Sequence, residues 1–311
     1  MNNVLLLIDG NALMHRAYHA LPHFKTKQGL PTNAVYGFLS MLHKAIVDFK
    51  PTHLAVCFDT PTPTFRKKIF KEYQIHRPKL EDDLKLQMPL IREALNKGGV
   101  VHLEKPGFEA DDLIGTITNK LVKTNTKILI FTGDKDIFQL VSDKVFVIAP
   151  LVGLANVKLY DALEVKKRLS VAPDQIVDYK ALMGDQSDNY SGAKGIGPKT
   201  AVQLINQFSN IENLFAHLDK VENQRVKKIL TDNKENIFLS KQLAQIHPNV
   251  QIDFNLDQTN FAQFNPELKN YLSQLEIHSL IKRLFQEKKE KSEKKPFESE
   301  GEEDKSQIKL F

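Results

Sequence analysis

Apolar residues follow two rhythms along this chain. Five short runs, Val4 to Ile8, His53 to Phe58, Val100 to Leu103, Ile128 to Phe131 and Val145 to Ile148, are compact enough for buried strands, and helical periodicity follows most of them. Such alternation predicts an α/β fold, a central, largely parallel sheet flanked by helices. Beyond about residue 160 the strand-like runs stop. The spacing becomes helical at Leu163, Val165 and Leu169, at Ile176, Tyr179 and Leu182, and at Val202, Leu204, Ile205 and Phe208, which predicts a helical subdomain after the sheet. From residue 286 the sequence QEKKEKSEKKPFESEGEEDKS offers almost no apolar surface to offset the entropy of ordering, so 286–311 is expected to be a flexible charged tail. The expected division is therefore an α/β core over 1–170, a helical subdomain over 171–285, and the tail.

Composition narrows the class. The 311 residues are 41% hydrophobic and 26% charged, the balance of a soluble globular protein. No apolar run nears the roughly 20 residues of a membrane-spanning helix. Met1-Asn2-Asn3 lacks the basic start of a signal peptide, so no membrane partner and no export are expected. The single cysteine, Cys57, forms no intramolecular disulfide, and no Cys/His set has zinc spacing, which points to the reducing cytoplasm. Within a formal net charge of +5, the segment 287–306 has six lysines against eight acidic residues. The body is thus more basic than the total, as suits a polyanionic partner.

The candidate chemistry lies in carboxylates. Three apolar runs lead directly into aspartates: LLLID into Asp9, LAVCFD into Asp59, and LIFTGDKD into Asp134 and Asp136. In a parallel sheet the strand carboxyl ends share one edge, so these residues converge there. After VVHLE, the segment PGFEADDLIG adds Glu109, Asp111 and Asp112, with Glu109 and Asp112 one helical turn apart, and LMGDQSDN adds Asp185 and Asp188 from the helical region. Singly, each reads equally as a helix cap or turn residue. Together, nine carboxylates at close range repel one another unless neutralised, and all-oxygen ligation favours Mg²⁺ or Mn²⁺ over zinc. Two such ions about 4 Å apart are the usual machinery of phosphodiester hydrolysis. The histidines His15, His19 and His23 share a helical spacing of four, but Pro22 interrupts the helix, so no metal site is expected there.

Two further segments suit a nucleic acid. In Gly192-Ala193-Lys194-Gly195-Ile196-Gly197-Pro198-Lys199-Thr200, glycines allow close backbone approach, and exposed N–H groups with Lys199 can hold a phosphate. No strand precedes it, as a dinucleotide fingerprint requires, and Pro198 stands where a Walker loop needs lysine. From Phe65 to Arg92, basic residues including Arg66, Lys67 and Arg77 are interleaved with Phe65, Phe70 and Tyr73. That pattern fits a strand-holding surface or a solvated helix face with its aromatics turned inward, and its place directly after Asp59 favours substrate contact.

Six motifs, LLLIDGNALMHRAYHALP, VCFDTPTPTFRKK, YQIHRPKLEDDL, PGFEADDLIGT, FTGDKDIFQLV and LMGDQSDNYSGAKGIGPKTA, follow one another across roughly residues 4 to 210. This series resembles the 5′ to 3′ exonuclease domain of bacterial DNA polymerase I, in the flap endonuclease family. The resemblance implies a PIN-like core with an arch at about 65–97 and a helix-three-turn-helix in the helical subdomain. It implies a two-metal nuclease acting on DNA 5′ ends, nicks and flaps, with RNA primers on DNA as possible substrates, in primer removal and repair. Asp9, Asp59, Glu109, Asp111, Asp112, Asp134, Asp136, Asp185 and Asp188 all fall on the family's acidic positions, which implies catalytic and metal-ligand roles. Arg66, Lys67, Tyr73 and Arg77 of the arch, with Lys194, Gly195, Ile196, Gly197, Lys199 and Thr200 of the hairpin, are implied DNA contacts, and the hairpin is an implied K⁺ site. Two departures stand out. Gln74 occupies the place where the family commonly has lysine, and Asn189-Tyr190-Ser191-Gly192 replaces Asn-Ile-Pro-Gly.

With no polymerase domain in 311 residues, the expectation is a free-standing, monomeric nuclease of the bacterial nucleoid. The closing residues Gln307, Ile308, Leu310 and Phe311 resemble the short motif by which bacterial replication proteins bind the sliding clamp, and the charged tail would give that motif reach. Two other readings stay open. A PIN-type ribonuclease is disfavoured by the hairpin, and a DNA-binding, clamp-tethered scaffold with little catalysis is disfavoured by the complete acidic set.

Overall fold

The computed structural model describes residues 3–151, 153 and 156–285. The expected tail, with Gln307, Ile308, Leu310 and Phe311, lies outside the described residues. The five apolar runs form β1 (Asn3–Asp9), β2 (His53–Phe58), β3 (Val101–Glu104), β4 (Thr126–Phe131) and β5 (Val145–Pro150), joined by a further strand, β6 (Val157–Tyr160). They make one sheet in the order β3-β2-β1-β4-β5-β6, parallel throughout except for the antiparallel β5–β6 pair. The hydrophobic pattern did not predict β6. It is an edge strand with Lys158 and Leu159 exposed and only Tyr160 buried, so it lacks the apolar run of a covered strand.

Both faces of the central strands are covered, which is why they carry near-continuous apolar runs. Leu5 and Leu7 of β1, Ala55 and Cys57 of β2, and Ile128 and Ile130 of β4 enter one core, and their alternating neighbours Leu6, Ile8, Val56, Leu129 and Phe131 enter the other. The first core packs α5 (Ala110–Leu121) against α6 (Ala162–Leu169), α7 (Ile176–Met183), α8 (Pro198–Phe208), α9 (Ile211–Ala216), α10 (Gln224–Asp232) and α11 (Lys234–Ala244). The second packs α1 (Gly10–Ala20), α2 (Asn33–Phe49) and α4 (Asp82–Lys97). Within the expected 171–285 segment, the chain returns after α11 to the core that holds α1, α2 and α4. Leu268 and Leu272 of α12 (Glu267–Gln274) and Leu280 and Ile281 of α13 (His278–Phe285) are buried in the second core, and α12 lies against α4. Among the described residues no helix is long and apolar enough to cross a membrane.

One buried arginine ties the layers together. Arg66, on the short helix α3 (Phe65–Ile69), is 3% exposed. Its guanidinium forks onto Asp112 of α5 at 2.8 and 2.9 Å and reaches Glu109 at 3.3 Å. Nε and Nη2 donate to the backbone carbonyls of Leu243 and Gln245, at the end of α11, each at 2.9 Å. All five guanidinium donors are thereby used. Arg66 joins the expected arch to the core and to the helical layer, rather than facing a phosphate as expected. Asp112, fully buried, also accepts from the N–H groups of His247 at 2.8 Å and Glu109 at 3.1 Å. Replacing Arg66 by Ala strands that carboxylate and is expected to destabilise the protein by about 3–5 kcal/mol. Urea denaturation of the two proteins measures the difference, and a loss under about 1 kcal/mol would remove Arg66 from this structural role.

Candidate functional site

The parallel strands deliver their carboxyl ends to one edge, and the loops there carry the acidic residues. Asp9 ends β1 and caps α1, accepting from the Ala12 N–H at 2.9 Å and from the Thr132 hydroxyl at 2.7 Å. Asp59 follows β2 and accepts from the Ala110 N–H at 2.7 Å, at the start of α5. Glu109 and Asp112 form a reciprocal capping box on α5, with Asp111 between them in the first turn. After β4, Asp134 accepts from the Asp136 N–H at 2.8 Å. Local backbone satisfaction thus fixes where each carboxylate points.

A cleft of about 680 Å³ opens at this edge, and Asp9, Asp59, Glu109, Asp111, Asp134, Asp136 and Asp188 line it together. Asp185 joins from one side: single oxygens of Asp136, Asp185 and Asp188 lie within 4.8 Å of one another. Of the nine expected carboxylates, Asp112 alone stands behind the cleft, neutralised by Arg66. The Asp185–Asp188 loop is held closed by paired backbone bonds between Asp185 and Tyr190, at 2.7 and 3.0 Å. Gly184 and Gly192, both at positive φ, press backbone against backbone beneath it, where a Cβ on either would come within 2.5 Å of main-chain atoms.

Crowding shows in the proton affinities. Burial lifts Asp9 to about 6, with the Asp59 charge adding to it. Burial also lifts Glu109 to about 7 against the pull of Arg66, and Asp136 to about 7 with the help of Asp134. Asp111 is held well above the carboxylate range by burial and then by Asp134, Asp9, Asp136 and Asp59. Asp134 is raised as well, first by burial. Asp185 goes the other way: burial raises it, but Lys180 and hydrogen bonds from Ser187 outweigh burial. A site of hard oxygen donors that hold protons so far above their usual range is short of positive charge, and it fits hard divalent cations.

The base of the arch is fastened to this loop. Tyr73 is buried, and its hydroxyl lies 3.1 Å from Asp188. It is not the exposed stacking platform the sequence suggested. Gln74 has φ 54, its N–H donates to the Asp188 carbonyl at 3.0 Å, and its Nε2 donates to the Asp188 carboxylate at 2.9 Å. Gln74 thus makes a neutral contact where lysine was the family habit. Arg77 lines the cleft, exposed, and donates to Gln74 Oε1 at 3.2 Å. Lys67 is exposed on α3.

In the glycine hairpin, Lys194, Gly195, Gly197 and Lys199 are exposed and Thr200 is half-buried, and Gly197 precedes the first turn of α8. Ile196 is 5% exposed and belongs to the first core, so it anchors the hairpin from within. Sequence reasoning missed Lys180, which ion-pairs with Asp136 and Asp185 from the last turn of α7. The available signal was one charged residue inside the otherwise buried stretch KALM. His15 and His19 stack at 6.4 Å on the cleft wall, and α1 ends at Ala20, before Pro22.

Sequence profiles described as "5'-3' exonuclease, N-terminal resolvase-like domain" and "5'-3' exonuclease, C-terminal SAM fold" match residues 4–170 and 171–267. DNA polymerase I of Bacillus subtilis (strain 168) is 39% identical over 287 residues, 92% of this chain and 33% of that protein. The chain therefore spans about a third of the length of that polymerase. The 5'-3' exonuclease of Aquifex aeolicus (strain VF5) is 38% identical over 283 residues, covering 90% of this chain and 94% of that one. Among solved structures, T5 5'-exonuclease with bound zinc ions overlays with a TM-score of 0.66 at 22% identity, over 79% of this chain and 90% of the other. The catalytic core of Rad2 in complex with DNA overlays at 0.57 and 17% identity, over 90% and 91% of the two chains. The fold is shared with both structures, and by sequence this chain belongs to the 5'-3' exonuclease family.

Proposed function

We propose that this protein is a divalent-metal-dependent 5′ to 3′ exonuclease and 5′-flap endonuclease that hydrolyses DNA phosphodiester bonds in primer removal and repair. The observation that carries this reading is the single cleft into which seven carboxylates converge, beside the exposed cations of the arch. Asp9, Asp59, Glu109, Asp111 and Asp134 are the group suited to hold one Mg²⁺ or Mn²⁺, and Asp136, Asp185 and Asp188 a second. Bound there, the ions supply the charge that a scissile phosphate needs and lower the pKa of a water nucleophile. Arg77 and Lys67 are placed to steer the phosphate. Tyr73 and Gln74 act through Asp188 by fixing its carboxylate, and Asp112 acts through Arg66.

Duplex DNA is assigned to the hairpin, where Lys194, Gly195, Gly197, Lys199 and Thr200 would meet the phosphate backbone, K⁺ would be the hairpin's cation, and Ile196 anchors the turn from within the core. A monomer that also accepts RNA primers on DNA, works in the bacterial nucleoid, and is tethered to the sliding clamp by Gln307, Ile308, Leu310 and Phe311 completes the reading. A scaffold that only binds DNA gains nothing from crowding carboxylates at such electrostatic cost.

A labelled 5′-flap duplex tests the function directly. Cleavage near the junction is expected with Mg²⁺ and not with EDTA, and Asp111→Ala is expected to slow it at least about a hundredfold while leaving flap binding intact. Cutting that persists in EDTA would overturn the reading. So would full activity of the Asp111→Ala protein.

The raised carboxylates give a second test. A group whose folded pKa lies above its unfolded value stabilises the fold at low pH and loses that contribution as pH rises through the folded pKa. With Asp9 near 6 and Glu109 and Asp136 near 7, the EDTA-treated protein should melt at progressively lower temperature between about pH 5 and about pH 8. Mg²⁺ should abolish that decline, and its affinity should rise over the same interval. Melting curves with equal pH dependence in EDTA and Mg²⁺ would contradict the assignment of these carboxylates to a metal.

A further inference from the structure

The group formed by Asp136, Asp185 and Asp188 already contains a cation. Lys180, 7% exposed, has its Nζ 2.5 Å from Asp185 and also donates to Asp136. Among the described residues no other lysine or arginine ion-pairs with these three carboxylates. Asp188 is held separately, by Tyr73 and Gln74. Tyr190, 5% exposed, is tied to the same group by its paired backbone bonds with Asp185, and its hydroxyl is buried without a hydrogen-bond partner. Buried hydroxyls are nearly always paired, so an unpaired one in this loop requires a physical account.

We propose that Lys180 is the resident counter-ion of the Asp136–Asp185 pair: it holds the two carboxylates together in the metal-free protein, weakens their affinity for a divalent cation, and shifts to the Tyr190 hydroxyl when a cation enters. This rests on the reading of the cleft as a metal site. An ammonium has three donors, two of which serve Asp136 and Asp185, which leaves a third to engage a phenolic oxygen. An incoming dication meets the repulsion of the ammonium as well as the attraction of the carboxylates, so Lys180 opposes binding as long as it stays between them. Because Asp188 is fastened to the arch base, departure of the lysine leaves the group assembled.

The test is calorimetric titration of the full chain with Mn²⁺ in the absence of DNA. Asp185→Asn identifies the binding event that belongs to this group. Lys180→Met is expected to bind Mn²⁺ at that event at least about tenfold more tightly than wild type, and to melt at lower temperature when metal-free. Lys180→Arg should stay near wild type. Tyr190→Phe should bind several-fold more weakly with an unchanged metal-free melting temperature, because its hydroxyl makes no bond there. Equal or weaker Mn²⁺ binding by Lys180→Met overturns the proposal while leaving the nuclease reading intact. No Mn²⁺ binding by wild type overturns both. If Lys180→Met does not fold, Tyr190→Phe decides, and an unchanged affinity in that protein overturns the proposal.

Discussion

Carboxylates repel, and this fold brings seven of them to one cleft at the carboxyl edge of a parallel sheet. Every other feature around the site can be understood as a response to that repulsion. Asp9 and Asp59 are steadied by backbone N–H groups, Glu109 and Asp112 cap the same helix, and the two buried cations, Arg66 and Lys180, stand behind and beside the cluster. What remains uncompensated, above all Asp111, has its proton affinity raised well above the ordinary carboxylate range. The metal-free protein is therefore poised: the carboxylates of its acidic site are assembled by neighbouring structure before any ion is present.

The two buried cations divide this labour by their chemistry. Arg66 presents a rigid planar fork and uses it on fixed geometry, joining α3, α5 and the end of α11 through two side chains and two carbonyls. Lys180 is a point charge on a flexible stem, able to turn among several acceptors. A planar group suits the structural knot, and a mobile one suits the place where ions come and go.

The architecture and most of the site were legible in the sequence because both rest on local pattern. Apolar runs ending in aspartate name a strand and its carboxyl edge at once, so Asp9, Asp59, Asp134 and Asp136 could be placed together before any coordinates. What sequence hid was direction. Arg66 and Tyr73 lie in a basic and aromatic stretch that reads as surface, yet both turn inward, because their partners Asp112 and Asp188 are 46 and 115 residues away in the chain. Ile196 is similarly inverted within the hairpin. Strand β6 was hidden because Tyr160 is its one buried residue, and the return of α12 and α13 because helical periodicity reveals a buried face without saying which core receives it.

That return has a bearing on how the chain comes to be folded. The second core is completed by Leu268, Leu272, Leu280 and Ile281, whose helices lie against α4 and α2, although the rest of that core comes largely from much earlier in the chain. During synthesis that core therefore lacks its last apolar side chains until the helical layer has been translated. The late helices, remote from the cleft in sequence, thereby set when the core beneath the strands that carry it is closed.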